Sequence, residues 1–156
     1  MRARILAAAS FVLTAVAGIL LLAMMGLTVT DVFRRYVLND PIPGAFEATE
    51  VMLALAIFAG LPLVTAKGGH VQVRLLLDIL PRWPRFVLDR IGDLLVAVLL
   101  AGAAWLLLRR AASLARFGDT TVLLAIPLAP VAYALAALAG IAAAAAAVRF
   151  VVRCRE

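Results

Sequence analysis

Read for apolar and polar positions, the chain falls into four long apolar blocks separated by short charged stretches. A helix needs roughly 20 mostly apolar residues to cross about 30 Å of hydrocarbon, and each block is that long. The first covers about residues 5–30, with Ser10, Thr14, Thr28 and Thr30 as its polar side chains. The second covers about 46–66 and the third about 88–110. Helical character of the third extends from Trp83 or Pro84 to near Phe117, a rod on the order of 50 Å at 1.5 Å per residue. The fourth covers about 124–148, inside a stretch that starts near Thr121. Pro127 and Pro130 each remove a backbone donor there, which leaves the first turns of that helix open. Arg2 and Arg4 precede the first block as in a signal peptide, but the block exceeds the 7–15 apolar residues of such a segment, so a retained helix is expected.

Between the second and third blocks, "HVQVRLLLDILPRW" reads differently. His70, Arg74, Asp78 and Arg82 recur every fourth residue, on one helical face, with Val and Leu around the rest. Pro81 ends or kinks such a helix. The pattern predicts a short amphipathic helix over about 70–80 lying flat at the membrane interface. The expected fold is therefore an all-α integral membrane protein, a single domain over 1–156 with four transmembrane helices and one interfacial helix.

Composition strengthens this reading. Hydrophobic residues make up 66% of the chain, against about 45–50% in soluble proteins. The net charge of +6 comes from bases scattered between apolar blocks, not gathered on one face, so nucleic acid is not an expected partner. The lipid bilayer is. With both termini on one side, ten Lys and Arg share that side and five the other. The bias of Lys and Arg toward the cytoplasm then puts both termini inside. One cysteine, Cys154, makes neither an internal disulfide nor a metal cluster.

The chemistry of a site is sparse. Ionisable side chains inside a membrane mark ion paths and proton relays, yet the middle of each block has none. Asp93 comes closest, about one turn inside the third block, within reach of Arg90. Gly60 and Pro62 suggest a kink in the second. One histidine excludes bis-His haem ligation within the chain, and neither a nucleophile–base pair nor a phosphate loop is present. No enzyme, metal site or cofactor is expected. Small residues, Gly102 to Ala104 and Gly140 to Ala147, offer surfaces on which helices pack closely.

The most polar passage is "RRYVLNDPIPGAFEATE", residues 34–50. Asp40-Pro41-Ile42-Pro43-Gly44 is a turn by composition. Glu47 and Glu50 open the second helix, where carboxylates complement its dipole. Arg34 and Arg35 end the first helix and could fold back onto them. Two readings stay open: an ion-paired clip between helix ends, or a docking surface for a partner.

In order along the chain, "DVFRRYVLNDPIPGAFEATEVML", "FAGLPLVTAKGGHVQVRLL" and "LLAIPLAPVAY" resemble the small membrane subunit of tripartite ATP-independent periplasmic (TRAP) transporters. The resemblance rests on Arg35-Tyr36, Glu47 and Glu50, Gly60, His70-Val71-Gln72-Val73, Pro127 and Tyr133. It departs in the middle of the second helix, which lacks the family's frequent tryptophan, and at Arg74, where an acidic residue is common. The resemblance implies a bacterial inner-membrane protein that binds a large multi-helix permease subunit carrying the substrate and sodium sites. It also implies a periplasmic solute-binding receptor that docks transiently and delivers an organic anion such as a dicarboxylate, keto acid or sialic acid. Arg34, Arg35, Tyr36, Glu47 and Glu50 would then lie on the outer face, where the loops help the receptor dock. His70, Arg74 and Asp78 would lie on the inner interfacial helix.

Two other readings compete. A self-sufficient homo-oligomeric four-helix transporter requires a membrane-embedded carboxylate, for which Glu50 is the candidate. A small membrane enzyme or a haem- or quinone-binding anchor would show itself in an absorbance spectrum.

Overall fold

The computed structural model describes residues 2–67 and 82–155. The segment expected to form the interfacial helix, with His70, Arg74 and Asp78, lies outside these residues. Four long helices are present: α1, Arg2–Phe33; α2, Ala45–Lys67; α3, Arg82–Phe117; and α4, Leu128–Arg155. Each contains a stretch long and apolar enough to span a bilayer.

The helix ends follow local chemistry. The first helix does not stop at Thr30 but runs on to Phe33 and widens into a π-helical turn, Arg34–Leu38. Asn39 then takes a left-handed conformation at φ 51°, which asparagine tolerates, and ends it. Gly118 closes α3 at φ 68°, its N–H donating to the Leu114 carbonyl at 3.0 Å, the usual left-handed helix stop. The last helix begins at Leu128, directly after Pro127. Pro130 is tolerated because the first-turn amides have no helical acceptor. Pro62 sits buried inside α2, which continues through it.

Inside the spans, side-chain hydroxyls are satisfied by their own helix. Thr14, Thr28, Thr30, Thr49 and Thr65 each donate to the carbonyl four residues earlier, at 2.7–2.8 Å. A hydrocarbon environment demands such internal pairing.

The helices pack as an open row. The first meets α2, α2 meets α4, and α4 meets α3; among the described residues no other pair of helices packs substantially. The contact surfaces are lined with alanine. Ala132, Ala136, Ala139, Ala142 and Ala146 form a buried stripe on α4; the two helices that pack on it bury alanines of their own, Ala56 and Ala59 on α2 and Ala104 and Ala111 on α3, and Ala111 clusters with Leu114 and Ala132. Spacings of three and four keep that stripe on contiguous helical faces. Large side chains such as Phe11, Leu22, Val98, Leu99 and Trp105 point outward. Water-soluble bundles are built the other way round. Lipid removes the hydrophobic drive between helices, so close backbone approach at small residues holds them together.

Candidate functional site

Both short loops, 39–44 and 118–127, lie at the same end of the row, and the polar passage singled out in the sequence lies there. It is held by partners different from those expected. Asp31, in the last turn of α1 and only 8% exposed, accepts from Arg35 Nη2 at 2.6 Å through one carboxylate oxygen. Its other oxygen accepts the Ile42 N–H at 2.8 Å. Arg34 pairs with Asp40, donating to both its carboxylate and its carbonyl. The two arginines thus hold their own loop, and the contact to Glu47 and Glu50 considered from the sequence does not form. Tyr36 is exposed.

Glu47 turns instead to the other loop. Its carboxylate accepts the N–H of Leu123 at 2.9 Å and of Leu124 at 3.0 Å. That loop is shaped to present them. Thr120 and Pro127 form an antiparallel bridge, Thr121 N–H donates to the Ile126 carbonyl at 3.0 Å, and the Thr121 hydroxyl accepts the Ile126 N–H at 3.0 Å. The tip of the knob is apolar, with Val122 92% exposed. Gly44, at φ 76°, lets the Leu124 side chain lie against its backbone. Glu50 is exposed and lines a cavity of about 360 Å³ between the second and third turns of α2 and the knob, together with Val51, Thr121 and Val131.

A second group sits at the opposite end of the row. Arg149 Nη1 donates to the Thr65 carbonyl at 2.6 Å, close to the end of α2, and its Nη2 lies 4.0 Å from Asp93 Oδ1 on α3. Thr65 is 1% exposed. A guanidinium near the last carbonyls of a helix donates to them and complements the dipole. One side chain therefore joins α2, α3 and α4 where both termini emerge.

Sequence reasoning passed over Asp31 and Arg149. Asp31 falls immediately after the first apolar block, and its spacing of four from Arg35 was the available signal. Arg149 counted as one of the tail bases, because nothing near it in sequence indicates an acceptor 84 residues away.

The arrangement binds helices and loops to each other. A family model described as "Tripartite ATP-independent periplasmic transporters, DctQ component" matches residues 24–156. No individual curated protein matches the chain at a significant level.

Proposed function

We propose, from the premise that the chain belongs to the DctQ family, the small permease subunits of TRAP transporters, that it is the membrane scaffold on which a large permease subunit is held. Members of this family are non-catalytic, and in TRAP systems they associate with a large permease and a solute receptor. The observation that carries the scaffold role is the open row. Its alanine seams are used up within the chain, while its large apolar side chains cover two broad outward faces. A second polytopic chain can pack on such a face over most of its height.

The transporter served is a sodium-driven importer of an organic anion, of the dicarboxylate, keto acid or sialic acid type, in the bacterial inner membrane. Both termini lie in the cytoplasm, a reading supported by the ten-to-five distribution of Lys and Arg. The end carrying the two loops then faces the periplasm, where the Val122 knob and Tyr36 are available to the receptor.

Purification in mild detergent from the native membrane, with mass spectrometry of what accompanies the chain, tests the scaffold. Stoichiometric recovery of a large, very hydrophobic permease is the expected result. Recovery of this chain alone as a discrete homo-oligomer overturns it, and transport by that oligomer in liposomes, abolished by Glu50→Gln, would establish the self-sufficient alternative.

A further inference from the structure

The helix α3 is an edge of the row and has α4 as its one substantial helical neighbour among the described residues. Trp105, Arg109, Ala112 and Arg116 follow one another at intervals of four, three and four, all exposed, along one stripe of that helix. Arg109, Ala112, Ser113, Arg116 and Phe117 line a groove of about 310 Å³. Arg109 and Arg116 stand about 10 Å apart along the axis at 1.5 Å per residue, a gap that two arginine side chains close from either side. Neither they nor Arg110 has a carboxylate within ion-pair distance among the described residues. Toward the middle of the span the stripe turns apolar, through Trp105 at 63% exposure to Val98 at 60%.

We propose that this stripe holds one phospholipid, its phosphate between Arg109, Arg116 and the Ser113 hydroxyl and its acyl chains along Trp105 and Val98. Arginine matches phosphate oxygens with paired donors in fixed geometry. The groove starts at Arg109, near the end of the third apolar block, the depth at which headgroups lie. Charge and hydrocarbon are both needed along this stripe. An acidic protein segment answers the arginines but supplies no hydrocarbon for the span below them, and a free phosphate uses only half of the surface.

Native mass spectrometry of the intact complex in mild detergent reads the result. The wild type is expected to retain one phospholipid per copy of this chain. Arg109→Gln with Arg116→Gln lowers that occupancy at least about tenfold, the loss of two charge-assisted contacts. Trp105→Ala lowers it as well, with every phosphate contact left in place, and so guards against misfolding of the double variant. Inorganic phosphate at millimolar concentration leaves the lipid bound. Unchanged occupancy in both variants overturns the proposal. Displacement by inorganic phosphate reassigns the groove to a free anion, and loss of the large subunit together with the lipid reassigns it to a protein partner. The same spectra count the large subunit separately, so failure of the scaffold reading and failure of the lipid site are distinguishable.

Discussion

Leu124 closes over Gly44. A methyl group built on that glycine would stand 2.7 Å from Leu124 Cδ2 and closer still to the branch carbon behind it, while Gly44 holds φ 76°. Two loops separated by some eighty residues are thereby fitted to each other through one missing side chain.

Gly44→Ala meets two penalties at once, the left-handed backbone and the overlap with Leu124. Together they cost about 2–4 kcal/mol. Thermal unfolding in detergent should show the loss. Adding Leu124→Ala should restore the part due to overlap and leave the part due to backbone, a coupling that a double-mutant cycle measures. Additive effects would mean that the two side chains do not meet.

Glu47→Ala leaves the amides of Leu123 and Leu124 without their carboxylate. Their hydrogen exchange should accelerate roughly tenfold or more, with the amides of α1 unchanged. Glu47→Gln keeps one acceptor oxygen and should fall between. Equal exchange in all three proteins would rule out the link between α2 and the knob.

Asp31 gives one oxygen to Arg35 and the other to the Ile42 amide, so its variants separate charge from hydrogen bonding. Asp31→Asn keeps an acceptor for Ile42 and loses the ion pair. Asp31→Ala loses both. Limited trypsin digestion after Arg34 and Arg35 should therefore be fastest in the alanine variant, intermediate in the asparagine variant and slowest in the wild type.

Arg149→Met removes the donor to the Thr65 carbonyl and the positive charge beside Asp93, loosening the join of α2, α3 and α4 at a cost of about 1–3 kcal/mol. Arg149→Lys should recover only part of this, because a single ammonium cannot reach Thr65 and Asp93 together as the forked group does. Wild-type unfolding temperature in the methionine variant would contradict the role assigned to Arg149.

Cys154 is the only cysteine of the chain, so it reports on the proposed orientation without further engineering. A membrane-impermeant maleimide applied to intact spheroplasts should leave it unlabelled, and permeabilisation should expose it. Labelling before permeabilisation would invert the topology.

Much of this architecture is legible in the sequence because hydrocarbon thickness imposes a length that four apolar blocks satisfy. The turn at 40–44 is legible for a local reason, since Pro41, Pro43 and Gly44 restrict their own backbone. The order of helices in the row is not. Each span is apolar on all sides, so no stripe reveals which face meets a neighbour; only the alanines of the fourth hint at it. Glu47 shows the other limit. Its place in the first turn of a helix explains a carboxylate well enough by the dipole, and its true partners lie 76 and 77 residues away on backbone amides of unremarkable leucines.

A row one helix thick behaves mechanically as a panel and not as a tube. A tube resists bending in every direction, whereas a panel creases along the lines between its slats. The central crease, between α2 and α4, is latched at both margins, by Glu47 at one and Arg149 at the other. At the loop margin Asp31 of α1 also grips Ile42, in the loop that leads into α2. Fastened at both margins, that central crease should be the stiffest line of the panel, so that α2 and α4 move together as one pair of slats.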